Sequence, residues 1–213
     1  MVCVSGHDSC GGMQNIMVLN LAPIIGDRWS PRAFDPERSV EPEKIHLALT
    51  AAQWAPSSGN LQPWSFIVGA NFDACHRKIL STLKDGNSIW ARNAPVLILT
   101  VAELHMNGQP NRFAFHDVGL ATQNLLSQVT ALGLVGHFMG GFFPEVATEI
   151  FHIPDGFEPV AVGAIGYGGR EDLLSDDLKS RETRTRRRKN LGTFAFSETW
   201  GTPIKLPPVD FVK

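Results

Sequence analysis

Cationic side chains recur in two places far apart in the chain. Arg28, Ser30 and Arg32 alternate in one segment, and a basic run, RETRTRRRK, fills positions 181–189. A guanidinium presents a planar fork of N–H groups that matches phosphate oxygens, and a phosphomonoester carries close to two negative charges. In an extended segment alternate side chains project to one side, so Arg28, Ser30 and Arg32 offer two guanidinium groups and a hydroxyl to one ligand. Ser57, Ser58, Asn60 and Gln62 stand in a further segment. Their hydroxyls and amides suit polyol hydroxyls and ring heteroatoms. Together these are the group types required by a molecule with a phosphate at one end and a polar-edged aromatic ring at the other. Taken alone, the basic run also reads as a solvated surface segment, a nuclear address or a nucleic-acid patch.

Other chemistries find less support. The seven histidines show no HExxH or comparable ligand spacing, so no metal site is expected. Gly163, Gly166, Gly168 and Gly169 follow a strand candidate without GxGxxG spacing and read as a tight turn at its end. Neither GxxxxGK[ST] nor GxSxG occurs. The three cysteines, Cys3, Cys10 and Cys75, are odd in number and form no CxxC pair. Free thiols in a reducing cytosol are the expectation.

These residues must be held by a core, and the chain can build one. It has 213 residues, of which 43% are hydrophobic, and a net charge of -2. That length suits one sizeable domain. The charge gives no global reason to seek nucleic acid or an anionic membrane. Met1 to Leu21 has no basic start, and Asp8 and Asn15 interrupt any apolar run, so no signal peptide is expected. No stretch approaches the ~20 apolar residues of a membrane span, and a soluble cytoplasmic protein is the expectation.

Residues 1–12 read as a loose leader, and Ile16, Leu19, Ile24 and Ile25 predict a short helix within 14–25, interrupted by Pro23. The proline-rich stretch 28–36 predicts a structured loop. Pro42 opens a helix over 42–55 that stops before Pro56. Residues 57–63 read as a loop, and Trp64–Gly69 as a strand. Phe72, Cys75, Ile79 and Leu83 mark an amphipathic helix. Val96–Val101, VLILTV, predicts a strand buried on both faces. The longest helix is expected at 115–132, with a stripe of Val118, Ala121, Leu125, Val129 and Leu132 and with Gly133 as its cap. A helix from Pro144 to Phe151 and a strand from Pro159 to Ile165 follow, then an extended tail. Interleaved helices and strands predict α/β or α+β with one central sheet.

In this order the segments resemble the nitroreductase-like flavoproteins. Residues 28–34, RWSPRAF, and 54–64, WAPSSGNLQPW, are similar to the family's N-terminal signature. HDVGLATQNLL (116–126) resembles its central helix, GLVGHFMGGF (133–142) its flavin-edge loop, VAVG (160–163) the strand after it and RRRKNL (186–191) its C-terminal phosphate motif. The likeness runs from about Ala22 to Leu191. It implies a nitroreductase-like fold, a central mixed β-sheet flanked by helices, with a C-terminal extension wrapping the partner subunit. Residues 1–20 would be a leader. Residues 21–213 would form one FMN-binding domain, with 192–213 as a dimer-embracing tail.

The resemblance also implies an FMN-dependent NAD(P)H oxidoreductase that works as a homodimer. Arg28 and Ser30 would face the FMN phosphate and ribityl chain, and Arg32 the N1/O2 edge of the ring. Pro56, Ser57, Ser58, Asn60 and Gln62 would reach the flavin of the other subunit. Gly140 and Gly141 would bring backbone close to the ring near N5, and Arg186 and Arg188 would close on the phosphate. Electrons would pass from NADH or NADPH through flavin N5 to a nitroaromatic, quinone or enone in a ping-pong scheme, with no catalytic side chain and water as a proton source. Gly59, Gly140 and His116 depart from the family pattern, and a ring-edge partner is expected within 85–93. Two other classes fit the same residues: a same-fold flavin enzyme with another reaction (dehydrogenase or oxidase, dehalogenase, flavin-cleaving), or a non-enzymatic protein that binds FMN or nucleic acid.

Overall fold

The computed structural model describes residues 17–19, 21–207 and 209–211. They divide into two compact units, Pro23–Thr185 and a second one built from the described residues of 1–22 and 186–213. Along the chain come β1 (Met17–Leu19), α1 (Pro23–Gly26), α2 (Pro42–Gln53), β2 (Trp64–Ala70), α3 (Ala74–Ser81) and α4 (Asp85–Ala91). They are followed by β3 (Val96–Glu103), β4 (His105–Met106), β5 (Gln109–Pro110), α5 (Ala114–Ala131) and β6 (Val135–Met139). The order ends with α6 (Pro144–Phe151), β7 (Phe157–Gly166), α7 (Asp176–Glu182) and β8 (Val209–Phe211).

In the larger unit four strands pair in the order β2-β3-β7-β6, antiparallel at every step. The parallel pairing among the described residues is β1 with β8, a two-stranded sheet within the smaller unit. β3 explains the layering. Its side chains alternate between faces. Leu97, Leu99 and Val101 enter one core with Ile79, Trp90 and Ala147 from α3, α4 and α6. Val96 and Ile98 enter the other, with Ala48 and Ala52 of α2 and Ala121, Leu125 and Val129 of α5. The continuous apolar run predicted to be buried on both faces is therefore the middle of a helix–sheet–helix stack, an α+β arrangement.

Local chemistry sets the element ends. Pro42 and Pro144 occupy first helical turns, where the missing N–H would be unpaired anyway. Asp73 caps α3 by accepting a hydrogen bond from the His76 N–H at 2.7 Å. After α5 the chain turns left-handed at Gly133, with φ of 71°. The Leu134 N–H reaches the Val129 carbonyl at 3.0 Å, and the Gly133 N–H the Thr130 carbonyl at 3.1 Å. That is the paired closure of a glycine-ended helix, as the sequence predicts. Asn107 and Gly108, both at positive φ, join β4 to β5 in a two-residue hairpin that was not expected.

Three expectations are corrected. The helix expected within 14–25 is a single turn, Pro23–Gly26, while residues 17–19 form a strand and 14–16 lie outside the described residues. Pro23 starts a helix readily but cannot sit inside one. Phe72 and Leu83 fall outside α3, and Phe72 takes a left-handed φ of 61° ahead of the Asp73 cap. Half of the segment 133–142 is strand, β6, rather than loop. Gly136 and Gly140 bracket only three apolar-rich positions there, which hides the strand. The leader read over 1–12, with Cys3 and Cys10, lies outside the described residues, where Cys75 is a free thiol. No helix among the described residues is long and apolar enough to cross a membrane.

Candidate functional site

The loop carrying Arg28, Ser30 and Arg32 is tied down through its backbone. Arg28 Nη1 donates to Ser30 Oγ at 3.1 Å, so these two side chains lie together as the alternation suggests. The N–H groups of Arg32 and Ala33 both donate to the carboxylate of Glu182, the shortest at 2.8 Å. Glu182 ends α7 and is 4% exposed. The Pro31 carbonyl meets His137 Nδ1, on β6, at 2.8 Å. Farther along, Asp35 N–H donates to the Tyr167 carbonyl and Gly169 N–H to the Ala33 carbonyl, at 3.0 and 2.9 Å. Phe34 forms a bridge with Gly168 and stacks at 6.2 Å on Trp90 of α4. Arg28, Ser30 and Arg32 themselves stay half-buried.

The glycines expected to make a tight turn do something else. Gly168 and Gly169 continue the chain beyond β7 alongside Phe34, and a β carbon on Gly169 would stand 2.3 Å from the Phe34 carbonyl oxygen. Only glycine permits that backbone-to-backbone approach.

His137 reports the electrostatics of this corner. Burial pushes its pKa below the ordinary value, and the positive charges of Arg32 and Arg28 add in the same direction. Its ring also lies 4.7 Å from that of Trp90, whose buried indole N–H has no partner among the described residues. A neutral imidazole with the proton on Nδ1 satisfies the Pro31 carbonyl. Two guanidinium groups thus sit where a third positive charge is resisted, which is the field an anion would relieve.

The second candidate segment has a different construction. Residues 58–60 make one 3-10 turn, and Gly59, Asn60 and Gln62 take left-handed φ values of 58°, 57° and 51°. For the two amide residues such φ values store strain of roughly 1–3 kcal/mol each, which tends to gather at functional loops. Gln62 N–H donates to Ser57 Oγ at 3.0 Å, and Gln62 Nε2 to the Asn60 carbonyl at 3.2 Å. Ser58 N–H donates to the carboxylate of Asp117 at 3.0 Å. Asp117 is 1% exposed and lies in the first turn of α5. A cavity of about 260 Å³ opens here, lined by Pro56, Ser57 and Ser58 and by Phe113, His116, Asp117 and Leu120.

Asn60 and Gln62 belong to the same loop but do not line that cavity, and both are exposed. Phe113, Asp117 and Leu120 were not singled out from sequence. Their spacing with His116 (113, 116, 117, 120) places all four on one helix face, and that signal was available.

Gly140 and Gly141 follow β6. Gly140 is exposed, with open space where a side chain would stand. Gly141 is enclosed: its carbonyl accepts from Lys84 N–H at 3.1 Å and Asn87 Nδ2 at 3.0 Å. A β carbon on Gly141 would fall 2.5 Å from that same Asn87 nitrogen. The 85–93 region, expected to supply a ring-edge partner, is α4, and its Asn87 stands against the Gly141 backbone. Arg186 and Arg188 belong to the smaller unit, where Arg186 is half-buried and Arg188, exposed, donates to the Arg187 carbonyl at 2.9 Å.

An antiparallel sheet between two helical layers, with a backbone-clamped cationic loop and a strained amide-bearing loop, defines an α+β ligand-binding domain. The chain belongs to the nitroreductase family, whose profile matches residues 25–79 and 70–167. It is 36% identical over 207 residues to the oxygen-insensitive NAD(P)H nitroreductase of Salmonella typhimurium, covering 76% of this chain and 95% of that protein. A putative NADH dehydrogenase/NAD(P)H nitroreductase of Archaeoglobus fulgidus is 29% identical over 174 residues, with 78% and 96% covered. A solved oxidoreductase containing FMN superposes with a TM-score of 0.81 at 34% identity, over 92% of this chain and 98% of that one.

Proposed function

We propose that this protein is an FMN-dependent, NAD(P)H-using reductase of small organic acceptors, acting as a cytoplasmic homodimer. One observation carries the reading. The Arg28–Ser30–Arg32 loop is clamped through its backbone by Glu182, His137 and Gly169, which fixes two guanidinium-bearing residues and a hydroxyl within one short segment. Relatives named for NAD(P)H nitroreduction and a structural neighbour named for FMN supply the chemical context.

The donor set fits FMN. Two guanidinium groups and a hydroxyl match a phosphate, while the hydroxyls and amides of Ser57, Ser58, Asn60 and Gln62 match a polyol and a heteroatom-rich ring. In this reading Arg28 and Ser30 hold the phosphate and ribityl chain. Arg32 sets a positive charge at the N1/O2 edge, where negative charge develops during reduction. Pro56, Ser57, Ser58, Asn60 and Gln62 serve the flavin of the partner subunit, and Gly140 and Gly141 keep backbone close to the ring near N5. Residues 21–213 act as one functional domain whose tail, 192–213, embraces the partner.

Bound FMN would supply the two-electron exchange between nicotinamide and acceptor, in alternating half-reactions. The chain's own part is to bind, orient and set the field. No side chain is assigned as a nucleophile, and water is the proposed proton source for the acceptor. Anaerobic titration of the FMN-loaded protein with NADH and NADPH tests the reading. Rapid bleaching of the yellow colour, restored by a nitroaromatic, quinone or enone, is expected. A coloured protein that neither nicotinamide bleaches would point instead to another flavin reaction on this fold.

A further inference from the structure

We propose that Glu182 and His137 are positioning residues for flavin affinity: they shape the Arg28–Ser30–Arg32 loop through its backbone and touch no part of the ligand. The inference rests on the functional reading above and assigns roles that the loop's own residues do not reveal.

Three facts support it. First, the polar contacts of both residues with this loop are to backbone. Glu182 accepts from Arg32 N–H at 3.1 and 2.8 Å and from Ala33 N–H at 3.2 Å, and His137 Nδ1 meets the Pro31 carbonyl at 2.8 Å. These partners belong to two successive peptide units, Pro31–Arg32 and Arg32–Ala33, so the clamp acts on the backbone between Pro31 and Ala33. Second, the groups are buried. Glu182 is 4% exposed, and the His137 ring is packed against Trp90 at 4.7 Å. A buried acceptor of N–H groups leaves those donors unsatisfied when it is removed, so the loop must move to find water. Third, the anchors lie far away in sequence, 150 and 106 residues from their partners. The loop does not make its shape by itself.

The carboxylate choice has a further logic. Glu182 is negative and lies at the backbone of a loop with two guanidinium groups. A glutamine would still accept one N–H through its carbonyl oxygen but would lose the charge-assisted pair.

The test compares FMN with riboflavin, which lacks the phosphate, by quenching of flavin fluorescence on the full-length protein. The variants are Glu182→Gln, Glu182→Ala and His137→Phe, the last keeping a ring against Trp90. Wild-type protein is expected to prefer FMN strongly. Glu182→Ala should weaken FMN by roughly 30-fold or more, and Glu182→Gln and His137→Phe by about 10-fold, as expected for hydrogen bonds to charged or buried groups. Riboflavin, which shares the ring and ribityl contacts but not the phosphate, should weaken clearly less than FMN, by about 3-fold, and its retained binding also shows that each variant is folded. Should Glu182→Ala fail to fold, the other two carry the test. A merely structural role would weaken both flavins together. Equal losses, or an FMN-to-riboflavin preference unchanged in all variants, would overturn the inference alone. Wild-type protein that binds neither flavin would overturn the proposed function and this inference with it.

Discussion

Two loops carry the candidate ligand groups, and they are held in opposite ways. The segment around Arg28, Ser30 and Arg32 is fixed from a distance, by Glu182, His137 and Gly169. The segment from Ser57 to Gln62 is fixed mostly by itself, through bonds between residues two to five apart, with Asp117 as its distant anchor. The first has no residue in the left-handed region and is held in place by tertiary contacts. The second keeps its shape against the backbone's own preference, with two non-glycine residues in the left-handed region. Damage to the first loop should therefore come through remote residues, and damage to the second through local ones.

Gly169→Val should give the largest effect. Its β carbon would overlap the Phe34 carbonyl oxygen, and backbone cannot yield as a flexible side chain can. A stability loss of about 2–3 kcal/mol in urea unfolding is expected, together with loss of flavin. The corresponding change in the second loop, Gly59→Ala, meets nothing closer than Leu61 Cγ at 3.8 Å. It should lose only about 1 kcal/mol, from the left-handed φ of 58°. If the two changes prove equal, the contrast between the loops fails.

Asp117→Ala comes next. It leaves the Ser58 N–H without its acceptor and removes a carboxylate that is 1% exposed. About 2 kcal/mol of stability should be lost, and Asp117→Asn, which keeps an acceptor, should lose less. The loss should appear in the 56–62 backbone by amide exchange and leave the Arg28 loop unchanged.

Acid should loosen the first loop before the second. Burial depresses the pKa of His137, and Arg32 and Arg28 depress it further. His76, buried against the Ala94 carbonyl and faced by Asp73 and Arg77, is also depressed, chiefly by burial. Where the folded pKa is the lower one, the unfolded chain takes up protons first as pH falls. Stability is therefore complete above the usual histidine value near 6.5 and declines as pH drops below it. His137→Phe should flatten part of that decline, leaving the share due to His76. An unchanged slope in unfolding measured from pH 7.5 to 5 would show that His137 does not titrate in this window.

The smallest effect expected is a gain. Asn60→Gly removes the steric penalty of a φ of 57° and should stabilise the protein by roughly 0.5–1 kcal/mol, while taking away one amide offered to ligand. Stability and flavin affinity should then move in opposite directions.

This contrast also marks what the sequence could tell. Elements whose evidence is local were legible: the VLILTV strand, the Pro42 and Pro144 helix starts and the Gly133 cap each rest on a few neighbouring residues. The ligand-facing residue types were legible too, because guanidinium and amide groups advertise their chemistry. Long-range anchors were not. Glu182 looks like one more acid on an exposed helix, and nothing in RETRTRRRK announces a buried carboxylate clamping residue 32. Gly169 looked like a turn because glycine clusters usually are turns, and only the proximity of Phe34 shows otherwise. Asn87 and Gly141 became a pair only once α4 met the end of β6.

The central claim is that this chain holds one flavin mononucleotide. Purified protein incubated with excess FMN and then freed of unbound ligand should keep a flavin absorbance spectrum near one equivalent per chain, and Arg28→Ala combined with Arg32→Ala should abolish it. Colourless wild-type protein after the same treatment, or a double variant that retains the full spectrum, would contradict the account.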